Sequence, residues 1–526
     1  MSATRSKLPR QLYTAQQVRE LDRIAIQDCG IDGFTLMRRA AAAALQVLLE
    51  TWPQARHIIV FAGSGNNGGD GYVMAAMAKE QGLNPVLVQA SDPTRLQGDA
   101  LRAWQLARDK GVIGSTFDPQ QFLDDAIPRN QAVVVDALLG TGLDRPVEGQ
   151  YRDAIATVNN LNLPVVAVDV PSGICSDTGN ILGSAVVADI TVTFIGLKQG
   201  LLTGQGLNAC GRVIYSDLDV PEQVFNGANS PAANCRRIDI HQVSASLQPR
   251  PPASHKGDFG HVLVVGGDYG LGGAALMAAE AALRTGAGLV SVITRSTHKA
   301  GFLARRPEAM VVGTEDEPGS SAAIEALLNR ATVIVIGPGL GKSDWSRQLL
   351  QQVLQRQVAK DIPLVVDADG LNLLAEKAGA GTWRDNWVLT PHPGEAGRLM
   401  ASDSQEIETD RFTAVASLQR CWGGVCLLKG AGSLLCWADA DGNQHLELCS
   451  EGNPGMATGG MGDVLSGILG GFIAQGYTLT DSLRLAVCVH GESADLAAAD
   501  NGQRGLLATD LFTYIPRLVN PKNYPD

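Results

Sequence analysis

The sequence predicts two doubly wound α/β domains in one chain, on three observations. At 526 residues the chain is several times the usual domain size, so it should form at least two cores. Short apolar runs alternate with helical stretches in two separate blocks, the pattern of a parallel sheet covered on both faces. Between the blocks, from Asn226 to Ser254, the pattern fails in NGANSPAANCRR and LQPRPPASH, where Asn, Ala, Ser and Pro suit a linker.

The elements follow in order. Thr14-x-x-Gln17 reads as a capping box ahead of Val18, Leu21 and Ala25, and a second helix is expected over 35–49, so two helices precede the first strand. Strands are expected at 57–62, 85–89, 132–137 and 164–170, with helices over 72–81 and 94–110 between them. The domain boundaries are 1–228, a linker over 229–253, and 254–526. In the second block, strands are expected at 261–266, 331–336, 363–367, 387–390 and 425–429. The halves share no repeat, which points to a fusion of unlike domains.

Composition excludes several classes of function. Hydrophobic residues at 45% and charged residues at 18% describe a packed soluble protein, neither disordered nor fibrous. The balance of 42 Lys plus Arg against 54 Asp plus Glu gives −12, which repels polyphosphate backbones and argues against nucleic-acid binding. Nine cysteines without a C-x-x-C pair suggest neither a disulfide framework nor a zinc site. The opening MSATRSKLPRQLYT lacks the apolar core of a signal peptide, and no run is long enough to span a bilayer. A reducing cytoplasm is the expected setting. Sixty glycines exceed the usual share of about 7% and indicate many close backbone approaches.

Three strand ends of the first block carry chemistry. HIIVFAGSGNNGGDG holds Gly63-x-Gly65-x-x-Gly68 between a strand and a helix, the context of a dinucleotide fingerprint. The second strand ends PVLVQ without the acid that would hold a ribose, and Asn66, Asn67 and Asp70 are polar beyond what pyrophosphate approach requires. VVVDALLGTGLDRPVEG places Asp136 at a strand end before a glycine loop, and VVAVDVPSG ends in Asp169, Pro171 and Ser172. A lone strand-end Asp is commonly a helix cap, whereas three such ends can converge on one crevice.

With AGSGNNGGDG, VVDALLGTGLDRPVEG, AVDVPSG, ADITVTF and GLKQGL present, residues 10 to about 225 resemble the epimerase domain of the NAD(P)H-hydrate repair family, a Rossmann-like fold. The resemblance implies that Asn66, Asn67, Gly68, Gly69 and Asp70, with Gly140, Thr141, Gly142, Leu143, Asp144, Arg145 and Pro146, contact the hydrated dinucleotide. It implies Asp169 at the hydrated ring as catalytic acid and base, and a potassium ion held by Asn67, Asp136 and Ser172.

In the second block, GNPGMATGGMGDVLSGILGGFIAQG sets glycines before an apolar helix, whose free N–H groups and dipole suit phosphate oxygens. Asp463 in that turn is placed to take a proton from a hydroxyl, with Asp369 next in line for that role. IGPGLGKS imitates a Walker A loop but is one residue short between its glycines, so Lys342 is expected to be solvated. VVDADGLN, LTPHPGE with His392 and Glu395, and LLKGAGS complete the strand-end loops.

From HKGDFGHVLVVGG onward, residues 250 to 515 resemble the dehydratase domain of the same family, a ribokinase-like fold. That resemblance implies that Ala274, Gly339, His392 and Asp463 contact the hydrate, and that Lys429, Gly430, Ala431, Gly432, Ser433 and Gly462 contact the nucleotide. The implied reactions are epimerisation of R and S hydrates and dehydration of the S hydrate with ADP converted to AMP and phosphate. Magnesium is a second candidate cation beside potassium. Expected partners are NADH hydrate, NADPH hydrate and ADP, with no nucleic acid and no membrane, in a homo-oligomer. A ribokinase-like small-molecule kinase fused to a dinucleotide-binding domain is the alternative, because GGMGD serves any phosphoryl transfer to a hydroxyl.

Overall fold

The computed structural model describes residues 8–118, 128–315, 319–377 and 383–520. The chain divides into two compact units at Arg236/Arg237, inside the segment read as a linker. That segment carries a short strand, Cys235–Ile238, and a helical turn, Ile240–Val243.

The first unit opens with helix α1 (Ala15–Arg23), whose capping box joins Thr14 and Gln17 as the sequence indicates. Helix α2 (Gly33–Thr51) follows. Strands β1 (His57–Ala62), β2 (Asn84–Gln89), β3 (Ser115–Thr116), β4 (Ala132–Ala137), β5 (Val165–Val168), β6 (Ile190–Phe194) and β7 (Arg212–Ser216) form a parallel sheet ordered β3-β2-β1-β4-β5-β6-β7. Helices α3 (Asn66–Glu80), α4 (Gly98–Asp109) and α5 (Gly149–Asn160) connect them. Side chains alternate between two cores, with Ile58 and Val60 on one face and Ile59 and Phe61 on the other, as period-2 pleating requires. Strand order reverses between β1 and β4, so the loops leaving these strands diverge and open a crevice at their carboxyl ends.

The second unit contains β8 (His261–Val265), β9 (Leu289–Thr294), β10 (Met310–Gly313), β11 (Val333–Ile336), β12 (Leu364–Val366), β13 (Trp387–Leu389), β14 (Val425–Leu428), β15 (Ser433–Ala438) and β16 (Gln444–Cys449). Their order is β16-β15-β14-β13-β12-β11-β8-β9-β10. The sheet is parallel from β14 to β10, and an antiparallel hairpin, β15 and β16, extends it. Here the order reverses between β8 and β11. Helices α6 (Gly272–Thr285), α7 (Asp344–Lys360), α8 (Ala368–Glu376), α9 (Pro393–Met400), α10 (Arg411–Trp422), α11 (Met461–Ala474) and α12 (Leu479–Asn501) complete it. No helix among the described residues is long and apolar enough to cross a membrane.

Helix α11 is buried on nearly every side, because small residues let it approach its neighbours. A Cβ on Gly467 would lie 2.1 Å from the Ala278 carbonyl oxygen of α6 and 2.7 Å from the Ala281 Cβ. Gly467→Ala is therefore expected to force α6 and α11 apart and cost about 1–3 kcal/mol. Urea unfolding followed by tryptophan fluorescence checks this; unchanged stability would mean the packing is looser than described.

Candidate active sites

In the first unit the glycine segment is less a loop than the sequence suggests. Helix α3 begins at Asn66 with Gly65 as its N-cap, so Asn66, Asn67, Gly68, Gly69 and Asp70 form its first turns. A Cβ on Gly68 would meet the Gly63 carbonyl oxygen at 2.1 Å, and this contact seats the helix end directly on the strand end. From the next strand, Gly140 packs against Asn67, with 3.2 Å between its would-be Cβ and the Asn67 Cβ. Beyond it Gly142, Asp144, Arg145 and Pro146 are exposed, and Thr141 and Leu143 are partly so. The two expected dinucleotide segments thus border one crevice.

Asn67, Asp136 and Ser172 also meet beneath it. Asp136 is fully buried and accepts only from neutral donors: Ser172 N at 2.7 Å, Ser172 Oγ at 2.5 Å and Leu138 N at 3.2 Å. Burial pushes its carboxyl up to about 6. Asn67 donates its amide to the Leu139 carbonyl at 2.9 Å, while its buried Oδ1 has no hydrogen-bond partner. A buried carboxylate, a hydroxyl and an orphan amide oxygen are the donors a hard cation takes, so the residues fit such an ion.

Asp169 follows β5 with φ at +68°, a backbone state uncommon outside glycine and associated with functional sites. Its N–H donates to the Val192 carbonyl at 2.7 Å. Its Oδ1 accepts from Thr193 Oγ1 at 3.2 Å, from Phe194 N at 3.3 Å and from the Lys198 ammonium. Lys198 is buried and also donates to the Phe194 carbonyl at 2.9 Å. Asp22 of α1 and Asp70 of α3 face the same pair. Burial, opposed by Lys198 and reinforced by Asp169, sets Asp22 at about 6, and burial with Asp169 and Asp22 lifts Asp70 well above the usual carboxylate range.

Sequence reasoning assigned no role to Lys198 or Asp22. The signal was a charge inside the otherwise apolar and glycine-rich IGLKQGL. Lys198→Met is expected to leave three acids without their cation and to destabilise this unit by about 3 kcal/mol, measured by hydrogen exchange of first-unit peptides in urea. No loss would show that Lys198 carries none of this charge.

In the second unit, α11 starts at Met461 with Gly460 as N-cap, φ +92°, so Gly462 and Asp463 lie in its first turn with free N–H groups. Asp463 makes no side-chain cap. Burial first, then Asp367, raises its carboxyl to about 7, against the lowering pull of Lys429. Asp367 is buried and held below the usual range despite that burial, because Lys429 Nζ pairs with it at 2.7 Å and Ser466 Oγ donates to it at 2.7 Å. A Cβ on Gly462 would come 3.4 Å from Lys429 Nζ, which places the ammonium against the helix end. The ammonium lies 3.7 Å from Glu395 as well.

His392 caps α9: its Nδ1 accepts from Gly394 N at 3.0 Å, while Glu395 Oε2 accepts from His392 N at 2.8 Å. Burial lowers the imidazole against the opposing pull of Glu395, and about half of the side chain stays exposed. A Cβ on Gly339 would lie 3.0 Å from the Ala274 Cβ, and Asp369 Oδ2 accepts from Gly341 N at 3.0 Å. Asp369 therefore holds the 339–341 turn to this cluster, a structural duty that competes with use as a base. Lys342 is exposed. Met277, one helical turn beyond Ala274, lies against Gly460, which links the Ala274 and Gly339 contact to the helix end that carries Asp463.

The 429–433 turn rests on Arg411, a residue sequence reasoning passed over. Its buried guanidinium pairs with Glu408 at 2.9 Å and donates to the carbonyls of Lys429 at 3.3 Å and Gly432 at 3.4 Å. A Cβ on Gly430 would lie 2.8 Å from it. Gly430 and Ala431 are exposed above, open to a ligand.

Comparison with known proteins fits this geometry. Residues 262–517 match the family model described as NAD(P)H-hydrate dehydratase, and residues 33–200 match that described as YjeF-related protein N-terminus. The bifunctional NAD(P)H-hydrate repair enzyme of Coxiella burnetii is 45% identical over 97% of this chain and 99% of its own. The Escherichia coli enzyme of the same description is 41% identical over 98% and 95%. A ribokinase-like superfamily protein from Enterococcus faecalis, of known structure, is 31% identical, covering 54% of this chain and 94% of its own with a TM-score of 0.48. The chain belongs to the family of bifunctional NAD(P)H-hydrate repair enzymes.

Proposed function

We propose that the first unit interconverts the R and S hydrates of NADH and NADPH, and that the second dehydrates the S hydrate while converting ADP to AMP and phosphate. The observation that carries this reading is the contrast between two carboxylates at sheet carboxyl ends: Asp169, tied to a lysine, and Asp463, poised near neutrality at a helix N-terminus. Family membership supports it over a kinase fused to a dinucleotide-binding domain.

In the hydrate, the carbon bearing the hydroxyl is bonded to the ring nitrogen. The nitrogen lone pair can expel water to a planar iminium, which water re-enters from either face. This needs one group that gives and recovers a proton. Asp169 is that group: its three hydrogen bonds converge on Oδ1, leaving Oδ2 to exchange the proton, with Lys198 balancing the charge. Asn66 to Asp70 and Gly140 to Pro146 hold the dinucleotide in the crevice. Asn67, Asp136 and Ser172 would hold potassium, which supplies positive charge next to Asp136.

Hydroxide leaves poorly, so the second reaction first moves the terminal phosphoryl of ADP onto the hydroxyl. The ring nitrogen then expels phosphate to leave an iminium, and loss of a proton from the adjacent ring carbon to water gives the reduced dinucleotide. Asp463 takes the hydroxyl proton, and a carboxyl near 7 is matched to that task. Amides at Gly460 to Gly462 and the Lys429 ammonium stabilise charge on the moving group. Lys429 to Ser433 form the nucleotide turn, and Ala274, Gly339 and His392 border the hydrate. Magnesium would enter with the phosphates of ADP. The reading extends to a cytoplasmic homo-oligomer; nine cysteines without a C-x-x-C spacing support the compartment, and sedimentation measures the assembly.

Two variants separate the activities when each is given mixed hydrates with and without ADP. Asp169→Asn should abolish epimerisation and keep ADP-dependent loss of the S hydrate. Asp463→Asn should lose about 10²–10⁴ in dehydration rate while still epimerising. In the wild type, dehydration should rise with pH up to about 7 and level off, since the base must be ionised. Retention of either activity in its variant would overturn that assignment.

The cation has its own test. Because burial raises Asp136 from 3.8 to about 6, its contribution to stability is full below the unfolded value and lost as pH rises through about 6. Roughly two pKa steps amount to about 3 kcal/mol. Potassium should then protect first-unit peptides from hydrogen exchange far more at pH 8 than at pH 5, and Asp136→Asn should remove the difference. Equal protection at both pH values would argue against an ion at this trio.

A further inference from the structure

Among the described residues, one group of potential metal ligands has no part in either reaction: Cys449, Glu451 and Cys488, whose ligand atoms all lie within 4.8 Å of one another. Cys449 ends β16, Glu451 stands two residues on, and Cys488 comes from the middle of α12. Both cysteines are buried, while Glu451 is partly exposed and gives the cluster a side open to solvent. We propose that these three residues form a binding site for a thiophilic divalent cation of the zinc type, with a fourth position left for water.

The spacing carries the argument. Zinc bound to thiolates at about 2.3 Å with tetrahedral angles sets its sulfur atoms about 3.8 Å apart, and a carboxylate oxygen about 3.6 Å from each sulfur. Cys449 Sγ and Cys488 Sγ are 3.8 Å apart, and Cys449 Sγ is 3.8 Å from Glu451 Oε2. A disulfide would require the sulfurs to close to about 2.05 Å, between a strand and a helix that are both packed into the core.

The carboxylate is also oriented as ligating carboxylates are. Glu451 Oε1 accepts the Ile240 N–H at 2.7 Å, which fixes the group and turns Oε2 toward the sulfurs, the supporting arrangement seen around metal ligands. Asp239 and Glu492 act on the same carboxylate as negative neighbours and add attraction for a cation. Binding would replace the two thiol protons and release them to solvent.

The location gives such a site a consequence. Gly452 N and Asn453 Nδ2, directly after Glu451, are held by Asp495 at 3.0 Å and 2.9 Å, and this stretch runs on into the Gly460 turn of α11. A cation at Glu451 would pin β16, α12 and the base of that loop together.

The test uses the full chain, reduced and stripped with a chelator, then equilibrated with zinc and dialysed. Wild type should retain one equivalent of zinc more than either Cys449→Ser or Cys488→Ser, and Glu451→Gln should bind it at least about tenfold more weakly. Near-ultraviolet circular dichroism in chelator checks that each variant is folded. Should the serine variants fail to fold, cadmium added to wild type should give the ultraviolet thiolate charge-transfer band of two sulfurs at one equivalent. Equal zinc retention by wild type and both serine variants, or no cadmium–thiolate band at one equivalent, would overturn the proposal.

Discussion

Backbone-to-backbone contact between neighbouring strand ends is the constraint on which both units are built. After β1, a Cβ on Gly63 would lie 1.9 Å from the Leu138 carbonyl oxygen that follows β4. After β8, one on Gly266 would lie 2.0 Å from the Pro338 oxygen following β11, and one on Gly337 would lie 1.8 Å from the Asp367 oxygen following β12. No side chain fits at these positions. The strand ends and helix starts that carry Asn67, Asp136 and Asp367 are thereby drawn to the edge where strand order reverses, and unlike sequences arrive at the same arrangement in two sheets.

What differs between the units is how buried charge is treated. In the first, one lysine serves several acids, and the acid proposed for the chemistry is the one bound to it. In the second, the Lys429–Asp367 pair is neutral as a unit and leaves Asp463 beside it without a partner of its own. Desolvation then lifts Asp463 to about 7, the range suited to the base proposed for it. The same cation, Lys429, also faces the helix end. One ion pair thus acts on the titration of the proposed base and places positive charge against the helix end.

Strands β1, β2, β4 and β5 of the first unit, β8 and β11 to β14 of the second, the two opening helices and the capping box at Thr14 were legible because apolar periodicity and capping chemistry are local signals. Helix α3 starts earlier than periodicity suggests, since NNGGD is polar and glycine-rich yet sits on the sheet through Gly68. The strands β3, β6, β7, β9 and β10 and the hairpin β15–β16 were not anticipated: β3 has only two residues and β10 only four, and the hairpin adds antiparallel strands to an otherwise parallel sheet. Motif resemblance supplied the site loops. It did not reveal Lys198, Asp22 or Arg411, whose roles come from partners far away in sequence, such as Asp169 for Lys198 and the 429–432 carbonyls for Arg411.

Helix α11, lodged among small residues with Gly467 against Ala278 and Gly470 against Val335, has a kinetic consequence. Its interior amides have no local route to solvent and should exchange only when the whole second unit opens. Its first turn, by contrast, presents N–H groups at the cleft. The proposed anion site is therefore the exposed tip of what should be among the slowest-exchanging segments of the molecule, and a phosphate arriving there would meet donors that need not be ordered first.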